Sequence, residues 1–166
     1  RDTDRSRGLG DVYKRQRFHD IGKQSLPRSI LQKSGKLMLE ERRILQQHPA
    51  LGVRLLRSIP ALRQYPYYDV LCDICLHHHE RWDGGGYPDG LTGRHITPYV
   101  HVVALADAYD ALRTARPYKP PLSHSEAVSM LCGGACGAFS PEMITCLQAL
   151  PEGFFAACYG EARKVG

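Results

Sequence analysis

His77-His78-His79-Glu80-Arg81-Trp82-Asp83-Gly84-Gly85-Gly86-Tyr87-Pro88-Asp89-Gly90-Leu91 is where a helix gives way to a loop rich in breakers. Three histidines are followed by carboxylates, four glycines, a tyrosine and a proline. Neutral imidazole is the commonest protein metal ligand, and carboxylates complement it for harder cations. The glycines and Pro88 describe a backbone that turns sharply and can approach a ligand closely. A surface loop that happens to be His- and Gly-rich would read the same way, so the flanking sequence has to decide.

Working outward, the chain reads as all-α. A helix from Asp69 to His79 delivers the histidines, and residues 83–96 form the Gly-rich loop. Upstream, a short helix is expected around 29–32. Leu39 to Gln47 forms another, with Glu40 and Glu41 in the first turn where carboxylates suit the dipole. Pro49 opens a continuation through Leu56, its missing N–H being harmless at a helix start. Downstream, Pro98 starts a long helix that Arg116-Pro117-Tyr118 and Pro120-Pro121 break. Ser123 caps 124–132 with Glu126 at the capping-box position, and Gly133-Gly134 ends it. Ser140-Pro141 caps a last helix through Leu150. Few stretches alternate with period two, so little sheet is expected, and there are no repeats.

Other candidate ligands are scattered. His19-Asp20 precedes Gly22-Lys23, which places a cation four residues after the histidine. His48 shares a helix face with Ile44, Leu45 and Leu51, so it points inward, as either a satisfied core histidine or a ligand. Asp107 and Asp110 interrupt Val102-Val103-Ala104-Leu105-Ala106-Asp107-Ala108-Tyr109-Asp110-Ala111-Leu112. An ionised carboxylate in so apolar a helix is costly without a cation or strong donors. One of the two suits a partly exposed position. Both being so is not expected, because they lie i, i+3 on one face.

These segments resemble the HD-GYP family of HD-domain metal-dependent phosphohydrolases. His19-Asp20-Ile21-Gly22-Lys23, His48-Pro49 with Gly52, His78-His79-Glu80-Arg81-Trp82-Asp83-Gly84-Gly85-Gly86-Tyr87-Pro88, Ala106 to Leu112 and Arg116-Pro117-Tyr118-Lys119 occur in the family's order. The likeness runs over residues 18–150. It implies an HD-domain helical bundle with a GYP loop, and a bacterial cytoplasmic phosphodiesterase opening cyclic di-GMP to the linear dinucleotide or GMP. It makes His19, Asp20, His48, His78, His79 and Asp107 metal ligands, with Asp20 bridging. Lys23 would stabilise charge at the scissile phosphate, and Tyr87, Arg116 and Lys119 would contact substrate. The implied cofactors are two or three divalent metals, iron or manganese from the mixed His and carboxylate set, with zinc also compatible. GGDEF-domain proteins are implied partners, and a homodimer is compatible with the likeness.

Two alternatives stay open: a module that binds cyclic di-GMP or docks a GGDEF cyclase without turnover, and an HD phosphohydrolase acting on another nucleotide. The family draws a further ligand from a helix well upstream of the His-Asp pair, whereas eighteen residues precede His19 here. Residues 1–17 are read as a non-native or disordered leader on a domain lacking its first helices, and 151–166, with Phe154-Phe155, as a tail. His101 and Ser140 stand where the family usually has Arg and Asp.

Composition fits one domain: 166 residues suffice for an independent core. No apolar run approaches the about 18 residues that span a bilayer, and no secretory leader is visible. Net charge is +5, of which residues 1–17 contribute +3. A DNA or RNA footprint would need a clustered basic face, which is absent outside that arm. The six cysteines (Cys72, Cys75, Cys132, Cys136, Cys146, Cys158) are expected as small buried hydrophobes in a reducing compartment. Cys72-x-x-Cys75 alone has half a zinc or redox spacing.

Overall fold

A computed structural model of the chain describes residues 18–114 and 120–150. Arg116, Lys119 and the segments read as leader and tail lie outside the described residues. Among the described residues there is no strand, and helices account for the architecture, as expected from the sequence. Seven α-helices follow in order: α1 (Arg28–Leu31), α2 (Leu39–Leu45), α3 (His48–Arg57), α4 (Tyr68–His77), α5 (Pro98–Arg113), α6 (His124–Cys132) and α7 (Pro141–Ala149). Single 3-10 turns cover Ile21–Ser25, Pro60–Gln64 and Gly93–His95.

The predicted punctuation operates as chemistry. Ser123 Oγ accepts from the Glu126 N–H at 3.3 Å while the Ser123 N–H donates to Glu126 Oε2 at 2.7 Å, closing the capping box of α6. Pro49 and Pro98 occupy first-turn positions of α3 and α5. Ser140 Oγ accepts from the Met143 N–H at 3.2 Å, so at the start of α7 the serine does what an aspartate would do. Glu41 braces α2 by accepting from the Met38 N–H and from Lys33 Nζ.

The chain divides into two compact units. The first holds the turn at 21–25, α1 to α4 and residues 87–90. Its core is Val53, Leu56 and Cys75, with Phe18, Ile21, Leu62, Leu71, Cys72 and Leu76 packed around them. Its tightest junction is made of small residues. A Cβ on Gly22 would lie 1.9 Å from the His48 carbonyl oxygen and 2.5 Å from the Gly52 nitrogen. A Cβ on Gly52 would lie 2.5 Å from Cys75 Sγ. The 3-10 turn therefore meets α3 at backbone contact and α3 meets α4 through the Cys75 sulfur, approaches that glycine at both positions permits.

The second unit holds residues 81–86 and everything from Leu91 on. Ala104, Leu105, Ala108, Tyr109 and Leu112 of α5 pack with Ala127 and Leu131 of α6, Phe139, and Leu147 of α7. The segment leading in is tied down within the unit. Arg81 Nε donates to the Cys136 carbonyl at 2.9 Å, its guanidinium lies 5.1 Å from the Phe139 ring centre, and the Trp82 N–H donates to the Ala138 carbonyl at 2.9 Å. Gly84 takes φ +79°, the left-handed region that a side chain disfavours.

Two expectations need correction. Asp107 and Asp110 are both half-buried, because they flank the α5 core stripe of Val100, Ala104, Leu105, Ala108, Tyr109 and Leu112 rather than lie in it. The cysteines are not uniformly buried. Cys75 is, Cys72 and Cys136 are half-buried, and Cys132 and Cys146 are exposed. The last two fall outside the apolar stripes of α6 and α7, which sequence alone did not resolve. Cys158 lies outside the described residues.

Candidate metal centre

The small-residue junction sets the site. Asp20 stands two residues before Gly22, His48 one turn before Gly52, and His78 and His79 three and four residues after Cys75. Locking those three contacts brings the polar groups together one layer above. Cys75 adds to the lock, its Sγ lying 3.5 Å from the His19 carbonyl and 3.8 Å from that of Pro49.

Among the described residues, Asp20, His48, His78 and His79 form one group whose ligand atoms all lie within 4.8 Å of one another. His48 Nε2 is 3.3 Å from His78 Nε2 and 3.2 Å from Asp20 Oδ1, and His78 Nε2 is 3.7 Å from the same oxygen. The His19 ring sits against that of His78, centroids 4.7 Å apart, with its Nε2 3.5 Å from Asp20 Oδ2. Lys23 Nζ reaches Asp20 Oδ2 at 2.6 Å from the rim.

The protons decide what this arrangement can hold. His48 Nδ1 is 2.8 Å from the Leu45 carbonyl, and His78 Nδ1 is 3.1 Å and 3.0 Å from those of Ile74 and Cys75. A carbonyl only accepts, so each Nδ1 carries a hydrogen and each Nε2 is the nitrogen turned to the group. The two Nε2 atoms and Asp20 Oδ1 lie within 3.2–3.7 Å of one another, close enough for one cation to meet all three. Asp20 Oδ1 is buried and makes no hydrogen bond of regular geometry. The donor set therefore fits a divalent metal, with backbone carbonyls orienting the imidazoles from behind.

Charge tuning agrees. Burial pushes His78 below the ordinary histidine range, with Asp20 opposing and His19 and His48 reinforcing, so the ring stays neutral and able to ligate. Burial alone would raise Asp20, but contacts with His48 and His78 and the Lys23 charge outweigh it and hold the carboxyl well below the usual range. The carboxylate is ionised whenever a metal would meet it.

Of the sequence candidates, the structure brings Asp20, His48, His78 and His79 into one group, sets His19 and Lys23 beside it, and lays Tyr87 on His79. The Tyr87 ring is stacked on that of His79 with centroids 4.6 Å apart and planes at 23°. Asp107 belongs to α5 in the second unit, and Arg116 and Lys119 lie outside the described residues.

Two residues escaped the sequence reading. Glu80 is 2 % exposed, and its Oε1 accepts from the Asp89 N–H at 2.7 Å. His77 turns away from its neighbours toward Asp73 and Asp89, and no spacing rule says which of three consecutive histidines will do so. For His77, burial lowers the pKa, but the bonds to Asp73 and Asp89 more than offset it and raise the ring above the ordinary histidine value.

The sequence pattern of the HD domain matches residues 5–139. A cyclic di-GMP phosphodiesterase of Vibrio cholerae is 39% identical over 146 residues, covering 87% of this chain and 30% of its own. The cyclic di-GMP phosphodiesterase response regulator RpfG of Xanthomonas campestris pv. campestris is 41% identical over 136 residues, 82% of this chain and 34% of its own. A 3'3'-cGAMP-specific phosphodiesterase 2 of Vibrio cholerae is 39% identical over 131 residues, 78% of this chain and 24% of its own. The chain spans about a third of the length of the first two relatives or slightly less. No described helix is long and apolar enough to cross a membrane.

Proposed function

We propose for this chain, which belongs to the HD domain family and to its HD-GYP group, the metal-dependent hydrolysis of cyclic di-GMP to the linear dinucleotide or GMP in bacterial signalling. The observation that carries the reading is the convergence of two histidine Nε2 atoms and Asp20 Oδ1 within 3.2–3.7 Å, beside the Lys23 ammonium, in a chain whose relatives carry that activity in their names.

Asp20, His48, His78 and His79 would hold a metal, with His19 beside them. Iron or manganese suits this mixture of imidazole and carboxylate, as does zinc with less oxygen character. Such metals, when bound, polarise a phosphoryl oxygen and make water acidic enough to supply a nucleophile at neutral pH. Lys23 neutralises negative charge growing on the phosphoryl oxygens, its ammonium already held at the edge of the group by Asp20. Tyr87 offers its outer ring face to a guanine, and Arg116 and Lys119 bind phosphate. GGDEF-domain proteins are the partners this role implies.

Incubation of anaerobically purified chain with cyclic di-GMP and Fe²⁺ or Mn²⁺, with products separated by chromatography, tests this. Linear dinucleotide or GMP is the expected result. Tight binding without consumption would make the chain a nucleotide-binding module instead. The 3'3'-cGAMP-specific relative supports a second reading, another cyclic dinucleotide as substrate. Running 3'3'-cGAMP in parallel separates the two by their relative kcat/KM.

A further inference from the structure

His77 stands beside two members of the metal group yet shares none of its geometry. Its Nδ1 is 2.6 Å from Asp73 Oδ1, one turn back on α4, and its Nε2 is 3.0 Å from Asp89 Oδ2. Both ring nitrogens face carboxylates, on opposite sides, so neither is turned to the metal group. Asp89 is held a second time, through its N–H to Glu80 Oε1 at 2.7 Å. Two residues earlier the Tyr87 N–H donates to the His79 carbonyl at 3.3 Å, and the Tyr87 ring stacks on that of His79. His77 at the end of α4, and His79 and Glu80 just beyond it, thus each hold the same short segment, Tyr87-Pro88-Asp89, within one unit.

We propose that Asp73, His77 and Asp89 form a positioning clamp that presses Tyr87-Pro88-Asp89 onto the end of α4 and fixes the face Tyr87 turns to the cyclic dinucleotide. The proposal rests on the function proposed above for its substrate, but its geometry does not. The Asp89 side chain is 53% exposed, and an exposed carboxylate gains little from ordering on its own. Tied to an imidazole that Asp73 orients from behind, it becomes a fixed anchor, the same division of labour by which outer carboxylates orient functional histidines elsewhere. His77, Asp73 and Asp89 are positioning residues, since they act through Tyr87.

The test uses the full chain loaded with Mn²⁺ and the variants Asp89→Ala and Asp89→Asn, whose exposed position makes misfolding a small risk. Backbone amide exchange over residues 84–91, metal content, and kcat and KM for cyclic di-GMP are measured together. In Asp89→Ala, exchange and KM should each rise roughly tenfold, the factor that loss of a charge-assisted hydrogen bond confers, with kcat within about twofold and metal unchanged. Asp89→Asn should recover most of both, because its amide oxygen still accepts from His77 Nε2. Unchanged exchange in Asp89→Ala, loss of metal with it, a fall in kcat rather than a rise in KM, or no recovery in Asp89→Asn would each overturn the clamp. A wild-type chain that hydrolyses nothing would remove the proposed reaction alone, and the exchange data would still decide the clamp.

Discussion

Replacing Gly22 by alanine should empty the metal site before it unfolds the protein. The new Cβ would stand 1.9 Å from the His48 carbonyl oxygen and 2.5 Å from the Gly52 nitrogen, against an ordinary contact of about 3.5 Å. Both neighbours are main-chain atoms of α3, so neither can swing aside, and the 3-10 turn must retreat by roughly 1.5 Å. Overpacking of this kind costs about 1–3 kcal/mol, a fall in Tm of roughly 2–12 °C at this size. The site is less forgiving. Metal–ligand distances tolerate only about ±0.2 Å, and Asp20 lies two residues from the displaced atom. Metal affinity should therefore drop at least about 10–100-fold, the range seen when ligand orientation is disturbed. Competition with a chelator, read by metal content per chain, and thermal unfolding of the metal-free protein supply the two numbers. Gly35→Ala is the control, since nothing lies within 4 Å of a Cβ there. A Gly22→Ala protein with wild-type metal affinity and Tm would refute the view that glycine contact at this junction sets the ligand geometry.

Other expectations follow from the same distances. His78→Ala should lose most bound metal, whereas Lys23→Ala should keep it, because removing a cation beside a cation site does not weaken that site. Its turnover should nonetheless fall by about 10²-fold; equal metal loss in both variants would remove Lys23 from the role assigned to it. Ser140→Ala deletes the α7 cap and should cost about 1 kcal/mol, visible as a shift in the denaturant midpoint at unchanged slope. Thiol labelling at pH 8 should modify Cys132 and Cys146 rapidly and leave Cys75 intact until the protein unfolds. Burial, aided by Cys72 and Asp20, pushes the Cys75 thiol up to about 12, and peptide mapping of the labelled sites checks the order.

The helices were legible because their ends are written in local chemistry. Ser123 with Glu126, Ser140 with Pro141, Pro49, Pro98 and Gly133 each act within one turn, and the structure places element ends within a few residues of where they point. The grouping of Asp20 with His48, His78 and His79 was legible only through resemblance, since no local rule links residues so far apart in the chain. The rest depends on three-dimensional contact. That Gly22 meets Gly52 and Cys75 requires knowing which helices touch. That His77 turns outward depends on where α4 stops and on Asp89 arriving from a loop. The half-exposure of Asp107 and Asp110 depends on how far α6 and α7 wrap around α5, and hydropathy along one helix does not measure that.

The hydrogen bonds from His48 Nδ1 to the Leu45 carbonyl and from His78 Nδ1 to those of Ile74 and Cys75 have an evolutionary consequence. In many metal proteins a side chain chooses the tautomer of a ligating histidine, and one codon change can undo that choice. Here the choice is made by peptide groups, which every codon supplies. Residues 45, 74 and 75 can drift in identity, within what packing allows, without altering which nitrogen faces inward. Mutation can delete a ligand here, or displace one through the Gly22 junction, but it has little means of turning the other ring nitrogen inward.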